Sequence, residues 1–176
     1  DEVLLPIKGR NPRLYNILAN GLFQTTDKLI FNNWEVQNFD MHELIQNNNE
    51  LHTCTGMDFG FSNDPTTIIL SLVDEKTKTL YICDEIYKKG MLNIDIAREV
   101  KEKGWHKNII VADCANPKDI TDLKRMGLDR IRKCRKGKDS ILHGINKLQE
   151  YKIIVHKKCE NVILELDNYT WEKNKQ

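Results

Sequence analysis

The chain has 176 residues, of which 40% are hydrophobic and 30% are charged. Its 27 basic residues nearly balance its 26 acidic ones, which excludes a generally polybasic nucleic-acid binder. A basic patch on one face is still compatible with this balance, because phosphate responds to local charge and not to the sum. No apolar run is long enough for a membrane-spanning helix, and the length suits one ordinary domain with a short additional segment.

The first fifty residues are rich in asparagine and lack the regular apolar pattern of the remainder. We interpret residues 1–50 as a connecting segment with one helix, around Pro12–Asn20, and a loop at 47–50. The N-terminal residues contain neither a basic region nor an initiator methionine, which indicates a fragment of a longer polypeptide. The main domain is expected to be residues 51–176.

From residue 51 onward the pattern predicts a sheet. Residues 54–59, 66–73 and 79–87 should form three successive strands, the last two joined by a tight turn. A helix that begins at Asn93 and runs to Lys103 should follow. The next apolar stretch, 108–112, is typical of a short strand covered on both faces.

Helices should alternate with short strands in the rest of the chain. Pro117 follows a capping asparagine and precedes an acid, so a helix is predicted to begin there and to end at Gly127. The remaining predicted elements are a helix capped by Asp139 or Ser140, a helix over 159–169, and strands over 130–133 and 152–155. Three meandering strands followed by this alternation predict an α/β fold with a mixed sheet.

The five cysteines and the histidines show no spacing typical of metal ligands. No two cysteines form a C-x-x-C pair, and their positions in apolar stretches favour buried free thiols in a reducing compartment. His106, His143 and His156 are interpreted as surface or core residues. A cytoplasmic protein is therefore expected.

Two aspartates stand where an apolar strand is predicted to end. Asp58 closes one strand and precedes a glycine-containing turn, and Asp113 closes another. Strand ends are where open α/β sheets place their sites, so the two carboxylates converge if their strands are neighbours. Close carboxylates repel, and a divalent cation relieves this, with oxygen ligands favouring Mg²⁺ or Mn²⁺ over zinc. The alternative is that each aspartate is a turn or capping residue.

The turn at 58–63, DFGFSN, also resembles the phosphate-binding turn of the actin, Hsp70 and sugar-kinase ATPases. Those proteins duplicate their sheet and carry a second glycine-rich turn, whereas the segment around Asp113 contains no glycine. The chain is also shorter than those proteins and has no P-loop sequence. An ATP-binding fold is kept as an alternative with weaker support.

A basic segment, residues 124–138, contains eight lysines or arginines and a single acid. Its end, at 136–138, is predicted to be a flexible loop just before a helix N-terminus, where backbone N–H groups favour phosphate. Runs of charge also occur as simple solvated surface. Nucleic-acid contact and a solvated face both stay open for this segment.

Three ordered motifs together resemble the C-terminal nuclease domain of tailed-phage terminase large subunits. They are GMDFGFSNDP at 56–65, ADCANPK at 112–118 and KGKDSI at 136–141 followed by GI at 144–145. The resemblance covers residues 51–176. It extends upstream through 11–15 and 30–34, which look like the tract that joins the motor ATPase domain to the nuclease.

The resemblance implies a ribonuclease H-like fold and metal-dependent endonuclease cleavage of double-stranded, concatemeric viral DNA during genome packaging. Asp58 and Asp113 match the first two catalytic acids of the family and would share two Mg²⁺ or Mn²⁺ ions, with Asp58 as the bridge. The family's third acid lies in a later helix that the sequence does not reach, so weak or absent activity is expected of this fragment. Glu85 and Asp167 match no catalytic position and are secondary candidates.

The same resemblance implies which residues and partners would hold the DNA. Lys118, Arg135, Lys136 and Lys138 would contact the phosphate backbone without reading bases. The expected partners are the ATPase domain of the same polypeptide, the small terminase subunit and the portal, in the host bacterial cytoplasm. The non-enzymatic alternative is a DNA-binding or docking module of the packaging motor.

Overall fold

The computed structural model describes residues 12–21, 29–113 and 117–171, and in these ranges the chain forms a seven-stranded mixed sheet flanked by helices. The strands are β1 (Trp34–Gln37), β2 (His52–Asp58), β3 (Thr66–Asp74), β4 (Thr79–Lys88), β5 (Ile110–Asp113), β6 (Ile131–Lys133) and β7 (Lys152–His156). The helices are α1 (Pro12–Asn20), α2 (Met41–Asn47), α3 (Asn93–Glu102), α4 (Pro117–Arg125), α5 (Ser140–Gln149) and α6 (Glu160–Asn168), with a 3₁₀ turn at Trp105–Lys107.

The strand order is β1-β7-β4-β3-β2-β5-β6. Strands β2, β3 and β4 pair as an antiparallel meander, and the other neighbours pair in parallel, as the sequence predicts. Strand β2 lies where the two modes meet, because it is antiparallel to β3 and parallel to β5. The predicted α/β mixed sheet is therefore confirmed.

The larger core lies on one face of the sheet, beneath α3 and α4. Side chains alternate along a strand, so Met57 of β2 and Ala112 of β5 point to the same face and are buried there. Helices α3 and α4 cover them with Val100 and Leu123, which are fully buried. Each large apolar side chain buried in this way stabilises the fold by about 1.5–3 kcal/mol. Helix α4 ends at Arg125, and Gly127, where the sequence predicts its end, follows two residues later with a φ of +90° that favours glycine.

The opposite face is covered over only part of the sheet by the described residues. Helices α1, α5 and α6 form a second core over β4 and β7, around Ile17, Ile145 and Ile163. Over β2 and β5 this face stays exposed: Val111 of β5 is 40% exposed, and Ile141 at the start of α5 is 75% exposed. We call the surface formed there by Cys54, Gly56 and Asp58 of β2 and by Val111 and Asp113 of β5 the open face.

Residues before β2 contribute to the same sheet and core. The helix predicted at Pro12–Asn20 is confirmed. Strand β1 and helix α2 were not predicted: β1 pairs in parallel with β7, and α2 begins after Asp40, whose carboxylate accepts the N–H groups of His42 and Glu43. That residues 1–50 join this domain to another stays a prediction.

Two cysteines agree with the prediction of buried free thiols and two do not. Burial raises the pKa of Cys83 and Cys159 to about 12. Cys54 is exposed and Cys134 is half-buried, so the prediction was wrong at both positions. The described helices cover only one face of the strand that carries Cys54. Cys114 lies outside the described residues.

In the part of the chain that is described, no helix is long and apolar enough to span a bilayer.

Candidate metal centre

The two strand-end aspartates meet at one edge of the sheet. Asp58 is the last residue of β2 and Asp113 is the last residue of β5, and the parallel register pairs them directly. Neighbouring strands lie about 4.8 Å apart, so the two side chains project side by side from the open face. The Asp113 side chain is 43% exposed, which leaves its oxygens accessible to a ligand. The convergence expected from the sequence is present.

The two neighbouring carboxylates at this edge of the sheet repel each other unless a cation lies beside them. Burial, and then the neighbouring Asp113 carboxylate, raise the pKa of Asp58, while the Phe59 N–H and the charge of Lys136 act in the opposite direction. The Nζ atom of Lys136 lies 2.6 Å from Oδ2 of Asp113, and this hydrogen bond raises the pKa of Lys136. Positive charge beside the two acids is therefore stabilising.

The turn after Asp58 is fixed by reciprocal hydrogen bonds between Gly60 and Thr66. The Gly60 N–H donates to Thr66 Oγ1 at 3.3 Å, and the Thr66 hydroxyl donates to the Gly60 carbonyl at 2.7 Å. A Cβ at Gly60 would collide with the Asp64 carbonyl oxygen, so glycine is required. The Gly60 N–H is used within the turn, and the described residues form a single sheet. The turn therefore fits a structural support of Asp58 better than an ATPase phosphate loop.

Glu85 lies away from the aspartate pair, at the start of α6. Its two carboxylate oxygens accept the backbone N–H groups of Asn161 and Val162, each at 2.9 Å, and the Asn161 side-chain amide donates to it at 2.7 Å. These backbone N–H groups belong to the first helical turn, where they have no partner within the helix. Glu85 therefore caps α6 from a neighbouring strand.

Asp167, the other secondary candidate, is fully buried on α6. Helix α6 packs against β4 and α1. Among the residues that the structure describes, no three His, Cys, Asp or Glu side chains come close enough to hold a metal ion together. Neither Glu85 nor Asp167 therefore adds a third ligand to Asp58 and Asp113.

One of the basic residues proposed for DNA contact touches the pair, and the other three are exposed on segments that follow β5 and β6. Lys136 touches Asp113 directly, and Arg135 and Lys138 are exposed on the same connection between β6 and α5. Lys118 is exposed in the first turn of α4, the helix that follows β5. Sequence reasoning placed Lys136 on a DNA-contacting loop but missed its ion pair, and no local sequence signal indicates that contact.

These residues fit a divalent metal ion. Two carboxylates supply the hard oxygen ligands that Mg²⁺ and Mn²⁺ prefer, and the ammonium group of Lys136 stands in for a cation beside them. A magnesium ion takes roughly six oxygen ligands, so two acids leave positions for water, a phosphate oxygen or a further acid.

The fold and the acid pair define a domain of the ribonuclease H-like class. A family model described as "Terminase RNAseH like domain" matches residues 58–176, and the chain belongs to this family. The chain is 33% identical over 171 residues to the PBSX phage terminase large subunit of Bacillus subtilis (strain 168), across 96% of this chain and 39% of that protein. It is 29% identical over 123 residues to the terminase large subunit of Bacillus phage SPP1, across 68% of this chain and 29% of that protein. The chain therefore spans well under half the length of either relative.

A solved structure supports the same assignment. The nuclease domain of the bacteriophage SPP1 large terminase, g2p, determined with bound Mn, is similar to this chain with a TM-score of 0.75 and 26% sequence identity, across 84% of each chain. The ribonuclease H-like fold and the family expected from the sequence motifs are thereby confirmed.

Proposed function

We propose that the domain is a metal-dependent endonuclease that cuts double-stranded, concatemeric viral DNA during genome packaging. The observation that carries this proposal is the direct register pairing of Asp58 with Asp113 at one sheet edge, in a chain of the terminase nuclease family. The manganese bound by the similar SPP1 domain supports the use of a divalent metal.

Asp58 and Asp113 would hold two Mg²⁺ or Mn²⁺ ions, with Asp58 between them as the shared ligand. When bound, such ions polarise the phosphodiester and lower the pKa of the attacking water. The protein's part is to fix the two carboxylates. Strands β3 and β5 hold β2 from both sides, and the Gly60 turn holds the residue that follows Asp58.

The exposed basic residues would bind the DNA backbone. Lys118, Arg135 and Lys138 are exposed on the segments that follow β5 and β6, and their long side chains are suited to contacts with phosphates. Contacts of this kind carry no base information, so binding should be independent of sequence and should weaken strongly with salt.

A third acid would complete the site. We propose that a further acid-bearing helix supplies it, as the family resemblance implies. In the full protein, residues 1–50 would join the nuclease to an ATPase domain, and the small terminase subunit and the portal would be partners in the host cytoplasm.

Calorimetry with Mn²⁺ tests the metal site. Asp58→Asn should lower Mn²⁺ affinity at least about tenfold, equivalent to about 1.4 kcal/mol, because it removes the shared charged ligand. The matched control is Asp129→Asn, an exposed aspartate between α4 and β6. Equal Mn²⁺ affinity in wild type and Asp58→Asn would show that these acids do not bind the metal.

Plasmid nicking separates the nuclease from the non-catalytic alternative. Mn²⁺-dependent nicking that Asp58→Asn abolishes and Asp129→Asn retains would support the endonuclease. DNA binding without nicking at saturating Mn²⁺, by a longer chain that carries the third acid, would favour a docking module of the packaging motor.

A further inference from the structure

Lys136 already occupies the position of a cation at the acid pair. Its ammonium nitrogen is 2.6 Å from Asp113 Oδ2, and its charge also acts on Asp58. The residue lies in the irregular connection between β6 and α5, and its side chain is 63% exposed. The contact is therefore close but open to solvent on its outer side.

We propose that Lys136 is an exchangeable counter-ion of the metal centre, paired with Asp113 when no divalent ion is bound and transferred to a DNA phosphate when the ion binds. This inference rests on the proposed nuclease function. It assigns one residue to two alternating partners, so metal binding and DNA binding should be thermodynamically coupled through it.

The charges favour such an exchange. An ammonium group and a divalent cation on the same carboxylate repel each other at contact distance, so the two compete for Asp113. Exposed lysine–carboxylate pairs contribute little to stability, so a divalent ion can displace this one. Once released, the lysine keeps a flexible four-carbon stem and three N–H donors beside the site where a phosphate must bind.

Lys138 provides the matched control. It lies two residues further along the same connection, is exposed, and forms no ion pair with any residue in the described ranges 29–113 and 117–171. Lys138→Ala removes the same charge from the same loop without removing a competitor for Asp113.

The first experiment is calorimetry of Mn²⁺ binding without DNA. Lys136→Ala should bind Mn²⁺ about threefold to fivefold more tightly than wild type, because no ion pair has to be broken. Lys138→Ala should change the affinity by less than about twofold, because its charge is exposed and screened. Unchanged or weaker Mn²⁺ binding by Lys136→Ala would overturn the exchange.

The second experiment measures duplex DNA binding by fluorescence anisotropy, with and without Mn²⁺, and confirms on a gel that the duplex is intact. Lys138→Ala should weaken binding by the same factor in both conditions. Lys136→Ala should weaken it only when Mn²⁺ is present, because only then is Lys136 free for phosphate. An equal loss in both conditions would show that Lys136 binds DNA regardless of metal, which rejects the exchange.

The two proposals fail in distinguishable ways. Mn²⁺ binding that is lost in Asp58→Asn but unchanged in Lys136→Ala rejects the exchange and leaves the metal site standing. No Mn²⁺ binding by wild type or by Lys136→Ala rejects both.

Discussion

The acids of the central strands fall into two groups that differ in what their oxygens contact. At the end of β3, Asp74 Oδ1 accepts the N–H groups of Lys76 and Thr77, each at 3.0 Å. Glu85 on β4 accepts the first N–H groups of α6. Asp58 and Asp113 instead lie beside each other and Lys136, and the Phe59 N–H is the backbone donor that acts on Asp58. A carboxylate that accepts several N–H groups from the fold has a structural role. Two neighbouring carboxylates that repel each other are available to bind a ligand.

The pKa directions separate Asp74 from Asp58. The Thr77 and Lys76 N–H groups hold the pKa of Asp74 below its usual value. Burial and the Asp113 carboxylate raise the pKa of Asp58. The fold therefore gains stability from the ionised form of Asp74 and loses stability from the ionised form of Asp58. Substitutions of these two aspartates should change stability in opposite directions.

The largest effect on stability is expected from Glu85→Ala. The substitution leaves two N–H groups at the start of α6 without their acceptor, and it should lower the free energy of unfolding by about 2–3 kcal/mol. Urea denaturation at pH 7 measures this. Glu50→Gln, an exposed acid before β2, is the control and should change it by less than about 0.5 kcal/mol. A decrease in the free energy of unfolding no larger than that of the control would contradict the capping role. Glu85 would then again be a candidate metal ligand.

A smaller effect is expected from Asp74→Asn, and it should depend on pH. A carboxylate with a lowered pKa stabilises the fold above its unfolded pKa, and that stability is lost as the pH falls through the folded pKa. The variant should therefore unfold at lower urea than wild type at pH 7. The gap should narrow below about pH 4, the usual value for an unfolded aspartate. A gap of constant size from pH 7 to pH 3 would show that the charge of Asp74 is not what stabilises the turn.

The comparison also shows which parts of the fold were accessible from the sequence. Strand β3 was predicted at 66–73 and ends at Asp74, and helix α4 was predicted to begin at Pro117, where the structure begins it. Both carry strong local signals, an unbroken β-branched stretch and a proline at the first helical position. Strand β1 was missed because four residues of mixed polarity have no period, and its conformation depends on pairing with β7.

The candidate site divides in the same way. Asp58 and Asp113 were found because a strand-end position and a family motif are local features. The ion pair of Lys136 with Asp113 and the capping of α6 by Glu85 were not found, because each joins residues far apart in the chain. Only the packing of the sheet and helices brings those partners together. Local pattern therefore identified the acids, and tertiary contacts decided which of them are structural.

The smallest effect, and the sharpest test of the comparison, is the stability of Asp58→Asn. An aspartate with a raised pKa holds its proton more tightly in the folded state, so folding loses stability as the pH rises from the unfolded pKa through the folded one. Above that window the penalty is complete, and asparagine removes it. Because Asp58 is largely exposed, solvent screening reduces the gain, and we expect an increase of less than about 0.5 kcal/mol at pH 7.

The gain should disappear near pH 3, where wild-type Asp58 is itself protonated, and Asp129→Asn should show no such change. Repeated urea titrations at both pH values provide the measurement. A loss of stability at pH 7 would place Asp58 with Asp74 among the structural acids. A gain combined with lost Mn²⁺ binding would show that Asp58 is kept at a cost to the fold, as expected of a residue retained for a ligand.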